Sequence, residues 1–556
     1  MKYSLRATLV FFLCLCLCVP IFASAYNAHP RLIVILIIDQ LRADYLERYH
    51  DQFVQGGFRL FLDHGANFTN CNYDYANTRT APGHATLLSG AYSDSHGIMA
   101  NEWWDPQKKK MVSSVQDDEV KIVGPSDATP ASPHNLGADT LGDELKLATQ
   151  GKARVYGLSL KDRSAILAAG FSADGAYWTD PKTGMWITST FYRTELPKWV
   201  QDFNTNPGAQ AYWNREWKDA SGHTLRSTAP HAARKGSPGA FAEIIGSTPF
   251  ANDYQFDFAR QLLTNEHLGT GPVTDLLVIS LSANDILGHQ VGPDDPQIEA
   301  MMLATDRQLA GFFSFLGQQL GLANVWLALS ADHGISPLPE VASRLRIPAG
   351  RVRSDRAGTE LNNILSDKLS PGHPAEYVKG FHYPLAWLNE DAFSALKMKE
   401  EDAERAVGEA MQQLGLLGYF TRTQLARGEV PNSAMGRRFL HSYAPIAAWY
   451  VMGVPRPYTV GSGSGTDHTS PYTYDTHVPL SFYGLAFQPG AYRTHAEPVD
   501  LAVTLASLLG INAPDHAIGR VLTEALPPAP PAQNSAQTKP DFPPHSPLDA
   551  APGGLQ

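Results

Sequence analysis

The chain has 556 residues, 43% of them hydrophobic and 18% charged, and carries a formal net charge of −11. That length and apolar content support one large α/β domain with insertions, or two domains, and the acidic balance excludes a chain built to grip nucleic acid through a basic face. Its one basic run, Lys108-Lys109-Lys110, follows Asp105-Pro106 and reads as a solvated turn.

In chain order, residues 1–25 have the pattern of a secretory signal: Lys2 and Arg6, an apolar run over 9–22, then Ala23-Ser24-Ala25 as a cleavage site. The run is too short and too close to that site to favour a retained membrane span, so the expectation is export to the periplasm or the medium, with an uncleaved anchor as the minority alternative. Cleavage would remove Cys14, Cys16 and Cys18 and leave Cys71, so no intramolecular disulfide can form. Residues 32–38 are an unbroken run of Leu, Ile and Val, the pattern of a strand buried on both faces, and they end at Asp39. Thr80-Ala81-Pro82-Gly83-His84 reads as a helix start, with Thr80 at or just before the N-cap, its hydroxyl near the positive helix end. Residues 155–160 form a further strand closed by Lys161 and Arg163, whose i, i+2 spacing puts both on one face if the extended conformation persists.

Residues 171–259 alternate Gly, Pro, Asn, Trp and Tyr with little long helical period and read as an insertion of short strands and loops. Strands follow at 275–281 and 325–331, running into Asp285/His289 and Asp332-His333. Between them Ile298, Met301, Met302, Leu309, Phe312, Phe313, Leu316 and Leu320 mark one face of a long helix. A strand–helix–strand crossover implies a parallel sheet, so the fold class is α/β, a doubly wound and mainly parallel central sheet flanked by helices. A second insertion is expected at about 341–459, with a helix near 400–416. The catalytic domain then closes with a strand at 478–483 and a helix at 499–510 capped by Gly510, so that it spans 26–525, and the Pro-rich stretch 526–556 reads as a disordered tail. Three strands thus deliver carboxylates or imidazoles past their C-terminal ends, where open α/β sheets bind ligands.

Asp39, Thr80-Ala-Pro-Gly-His84, Asn101, Asp285-x-x-x-His289, Asp332-His333-Gly334 and Gly465-Thr-Asp-His468 together resemble the alkaline phosphatase superfamily, over about residues 32–522. Ser159-Leu-Lys-Asp-Arg163 makes the chain similar to the bacterial alkaline phosphatases with a threonine nucleophile. The resemblance implies two zinc ions per chain, one held by Asp285, His289 and His468, the other by Asp39, Asp332, His333 and the Thr80 oxygen. It implies a covalent phosphothreonine at Thr80, with Asn101, Lys161 and Arg163 contacting the phosphoryl oxygens. The chemistry is self-consistent, since a pair of zinc ions about 4 Å apart stabilises both the attacking and the leaving oxygen of an in-line displacement. His and carboxylate ligands also admit manganese or cobalt.

His84 and His96 are expected to pack or support rather than ligate. His477 competes with His468, which is preferred because the glycines from Gly461 to Gly465 let a loop approach the metals. Trp103 and Trp104 flank the region and read as packing residues. The activity implied is an exported phosphomonoesterase acting on small phosphate monoesters, with oligomeric state open and a monomer compatible. A nucleotide pyrophosphatase or phosphodiesterase on the same scaffold is the alternative, and a periplasmic metal-binding protein is the non-enzymatic one. Two cations at Lys161 and Arg163 suit a dianionic monoester better than a diester, and no Cys-x-Pro-x-Arg or Ser-x-Pro-x-Arg segment of the sulfatase type is present.

Overall fold

The computed structural model describes residues 29–230, 240–446 and 448–527. The signal expected over 1–25, and all but the first two residues of the tail expected over 526–556, lie outside the described residues.

Seven branched apolar residues form β1 (Leu32–Ile38), each 0–1% exposed. A strand this apolar needs cover on both faces and a neighbour on each edge, and it has them. Numbering only the strands of the central sheet and the helices that bear on the site, the chain continues through β2 (Ala66–Phe68), α1 (Thr80–Ser89), β3 (Ile122–Val123), β4 (Val155–Ser159), α2 (Asp162–Ala169), β5 (Gly175–Thr179) and β6 (Trp186–Ser189). There follow β7 (Asp275–Leu281), α3 (Ala283–Val291), α4 (Pro296–Leu320), β8 (Val325–Ser330), β9 (Leu480–Tyr483), β10 (Gly490–Tyr492) and α5 (Asp500–Leu509). The sheet has ten strands in the order β10-β2-β9-β8-β1-β7-β4-β5-β6-β3. Its centre, β8-β1-β7-β4-β5, is parallel.

Register places the site. Leu32 pairs with both Asp275 and Val325, and Ile38 lies opposite Leu281, so β1, β7 and β8 finish at one edge. Asp39, α3 with Asp285, and Asp332 therefore all emerge there. Ser159 pairs with Ser280, which brings Lys161 to the same edge. The crossover from β7 to β8 runs through α4, whose buried face carries Ile298, Met301, Met302, Leu309, Phe312, Phe313 and Leu316. Helix α5 ends at Gly510 in the left-handed region, φ 64°.

Two expectations change. Residues 171–259 are not all loops and short strands: β5 and β6 extend the central sheet, and Pro249–Asn265 is a helix packed against α4. Its helical period is hidden in the sequence because the buried face includes Asn252 and Gln255, which bond to Thr305 Oγ1 and the Ser280 carbonyl. The extended conformation of β4 also stops before Lys161. Lys161 is the N-cap of α2, so Arg163 stands in the first helical turn instead of two residues along a strand.

Within 341–459 lies a four-stranded antiparallel sheet in the order Val378–His382, Leu385–Leu388, Tyr450–Val454, Gly418–Thr421. Helices Ser354–Leu369 and Glu400–Gln413 pack on it through Leu361, Leu365, Val407 and Met411, forming a core of its own. This lobe reaches the start of α1 through Arg79, whose Nη2 donates to the carbonyls of His382 and Tyr383.

Candidate active site

Asp39, Asp332 and His333 are fully buried and close together: His333 Nε2 lies 3.6 Å from Asp39 Oδ1 and 3.5 Å from Asp332 Oδ2. The His333 Nδ1 hydrogen is given to the Gly334 carbonyl, which leaves Nε2 as a bare lone pair. Asp39 Oδ1, Asp332 Oδ2 and His333 Nε2 each lack a hydrogen-bond partner among the described residues. Three acceptors facing one another in a dry pocket cannot satisfy each other, and buried orphans of this kind are costly. A divalent cation with oxygen and nitrogen ligands fits that donor set. Without one, burial pushes the Asp332 carboxyl well above the usual range, with Asp39 adding to it, and pushes His333 down.

A second cluster lies alongside. Asp285 and His289 are one turn apart on α3, with Nε2 3.1 Å from Asp285 Oδ1, and His468 Nε2 is 3.9 Å from the same oxygen. Both histidines again give Nδ1 to a carbonyl, His289 to Thr466 and His468 to Thr78, so that both present Nε2. At this sheet edge the groupings close enough to hold an ion are Asp285–His333–His468 and His289–Asp467–His468, next to Asp39–Asp332–His333; a further one, Asp139–Glu144–Asp515, lies apart from them in the sequence. The His333 and His468 rings stack with centroids 3.7 Å apart and join the two clusters. Burial opposes charge on His289, but Asp285 and Asp467 overcome it and push its pKa up to about 10. Gly465, at φ 65°, lets this loop close in, since a Cβ there would lie 1.9 Å from the His289 carbonyl oxygen.

Helix α1 begins one residue earlier than expected: Arg79 is the N-cap and Thr80 the first helical residue, because Pro82 sits at the third helical position, where its missing N–H is one of those that no helix satisfies internally. The first turn presses on the carboxylate strand ends: a Cβ on Gly83 would stand 2.4 Å from the Asp332 carbonyl oxygen. His84 locks the turn, donating from Nδ1 to the Thr80 carbonyl and accepting at Nε2 from Ser280 Oγ. Burial lowers its pKa to about 4, which keeps it neutral. Asn101 Oδ1 accepts from the Ala81 N–H, so its amide nitrogen is the group left to donate elsewhere.

Lys161 Nζ sits between Asp39 Oδ2, at 2.5 Å, and Asp285 Oδ2, at 2.6 Å. Burial opposes its charge, but the two carboxylates, Asp285 foremost, hold it firmly protonated. Arg163 is partly buried, 3.6 Å from Asp162, with an Nε that has no partner among the described residues. His477 stays outside the clusters, its Nε2 on the Thr69 carbonyl. His96 bonds to Thr86 and Ile98, Trp103 is buried in the Glu102–Asp105 strand, and Trp104 has the Lys379 ammonium 5.6 Å above its ring.

Two residues escaped the sequence reading. Gln40, at φ 66°, donates from its backbone to Asp332 Oδ1 and from Nε2 to Asp285 Oδ1, tying the clusters together. Asp467 adds a carboxylate to the outer cluster, and its place beside His468 in the Gly465–His468 motif was the available signal.

Comparison with known proteins shows the family to which the chain belongs. A profile described as type I phosphodiesterase / nucleotide pyrophosphatase matches residues 33–365. Alkaline phosphatase PafA of Elizabethkingia meningoseptica is 32% identical over 91% of this chain and 96% of its own, and alkaline phosphatase PhoV of Synechococcus elongatus 32% over 90% and 93%. A Myroides odoratus protein named a calcium-transporting ATPase is 32% identical over 94% of this chain and all of its own. The solved structure of wild-type PafA superposes with a TM-score of 0.80 at 30% identity, covering 90% of this chain and 99% of that one. The chain belongs to the type I phosphodiesterase/nucleotide pyrophosphatase family of the alkaline phosphatase superfamily.

Proposed function

We propose that this protein is an exported, zinc-dependent phosphomonoesterase that hydrolyses small phosphate monoesters and releases inorganic phosphate. The observation that carries the reading is the set of three buried, facing acceptors, Asp39 Oδ1, Asp332 Oδ2 and His333 Nε2, beneath the Thr80 turn and next to Lys161. The alkaline phosphatase names of PafA and PhoV support it, as does a second PafA structure altered at a threonine, an asparagine, a lysine and an arginine. Those residue types recur here in the same order as Thr80, Asn101, Lys161 and Arg163. The leader over 1–25 supports export.

Asp39, Asp332 and His333 would hold one ion and Asp285, His289 and His468, with Asp467 at hand, the other. When bound, zinc lowers the pKa of water and offsets charge on the attacking and leaving oxygens. Thr80 Oγ1 gives up its proton and forms the bond to phosphorus as the P–O bond to the ester oxygen breaks, and that oxygen takes up a proton and leaves as the alcohol. Water then adds to phosphorus, the Oγ1–P bond breaks, and Thr80 regains its proton as phosphate departs. The turn that carries Thr80 is held by His84 and Asn101, so the nucleophile needs little reorganisation. Lys161 and Arg163 set two positive charges against the phosphoryl oxygens, and a monoester offers one more negative charge there than a diester.

The family profile favours a second reading, a phosphodiesterase. The ratio of kcat/KM for p-nitrophenyl phosphate over bis-p-nitrophenyl phosphate separates the two in zinc-reconstituted protein. A strong monoester preference that falls when Lys161 and Arg163 are replaced by alanine is the expected result; a diester preference overturns the substrate class.

A further inference from the structure

Beyond Lys161 the row of strand ends continues into a cavity of about 490 Å³. β4 and β5 pair in register, Leu158 opposite Tyr177, so the residues that follow each strand open onto one space. Its wall is largely apolar, with Leu160, Trp178, Pro181, Phe241, Ala242 and Ile286, and it shares Lys161 and Arg163 with the phosphoryl site. Ile286 follows Asp285 on α3, so the cavity and the outer cluster share an element. Charge on the far side is spent locally. Lys182 pairs with Asp127 at 2.9 Å, and Asp180 is taken by Ser126, Thr183 and the Lys182 N–H. Arg163 keeps an Nε that has no partner among the described residues.

We infer that this cavity is the subsite for the organic group of the substrate, and that it favours monoesters carrying a large apolar group over those of short alkyl alcohols. The inference rests on the phosphomonoesterase reading above. Its volume lies within the range of small-molecule sites, and a wall with more apolar than polar lining gains from an apolar guest. Through Lys161 and Arg163 the cavity borders the active site, as an isolated surface hollow would not.

The test compares kcat/KM for naphthyl phosphate and ethyl phosphate, and measures binding of non-hydrolysable naphthylphosphonate by calorimetry, in the zinc-loaded full chain. Two variants fill the cavity, Ala242→Phe from its wall and Thr129→Trp from its exposed rim. The naphthyl-over-ethyl ratio should fall about tenfold or more in each, with a matching loss of phosphonate affinity. An unchanged ratio with unchanged phosphonate affinity in both variants overturns the inference. A wild-type protein that turns over neither ester defeats the phosphomonoesterase reading instead. Phosphonate binding then decides the cavity alone, loss on filling supporting it and no loss refuting it.

Discussion

The two ligand clusters are built from the same residue types and share a stacked histidine pair, yet they are in opposite electrostatic condition. In the deep cluster Asp39, Asp332 and His333 are wholly excluded from solvent, and three of their lone-pair atoms have no hydrogen-bond partner among the described residues. In the outer cluster both oxygens of Asp285 are served, by Gln40 Nε2 at 2.7 Å and Lys161 Nζ at 2.6 Å, while the side chains of His289 and Asp467 are 35% and 29% exposed. The deep cluster offers a cation unpaired buried acceptors, which a bound ion would satisfy. The outer one, open and internally balanced, suits a position where ligands exchange, as the leaving-group side of a phosphatase must.

Substitution at the deep cluster should therefore do the most damage. Asp332→Asn keeps the side chain's size and an oxygen for the Gln40 N–H but removes a charge. It should cost the protein about one equivalent of bound zinc, and lower kcat/KM by about a thousandfold, several kcal/mol of transition-state stabilisation. His289→Ala should cost only about ten- to a hundredfold, recoverable with excess zinc, because Asp285, Asp467 and His468 remain. Metal analysis and titration with zinc check both, and equal losses in the two variants would erase the distinction.

His96 supplies a smaller effect and a control. It is as buried as His333, but both ring nitrogens are satisfied: Nε2 donates to Thr86 Oγ1 and Nδ1 accepts from the Ile98 N–H. Burial lowers its pKa to about 3, well below the value of about 6.5 in the unfolded chain. Between those values the unfolded state binds a proton that the native state refuses, so this stability is present above pH 6.5 and is lost as pH falls. Urea midpoints should drop more from pH 7 to pH 5 in the wild type than in His96→Gln. Parallel drops would show that the acid sensitivity comes from elsewhere.

Much of the site was legible because it hangs on patterns that sequence carries well. Continuous branched apolar runs located β1, β7 and β8, and the residue after each run, or the first helical turn beyond it, supplied Asp39, Asp332 and Asp285. Partnerships formed across long separations were not legible. Nothing local reveals that Gln40 bonds Asp285, 245 residues away, or that Lys161 bridges Asp39 and Asp285. Helix Pro249–Asn265 was missed because its buried amides break the apolar period, and the start of α2 at Asp162 because an extended run gives no sign of where it turns.

The most direct measurement is the identity of the residue that carries phosphate during turnover. Zinc-loaded protein mixed with radiolabelled p-nitrophenyl phosphate, quenched in acid and digested, should yield label on Thr80. The Thr80→Ala variant should give none while keeping most of its zinc and losing about 10³-fold or more in kcat/KM. Label on another residue, or undiminished turnover by Thr80→Ala, would contradict a threonine nucleophile poised over the two clusters.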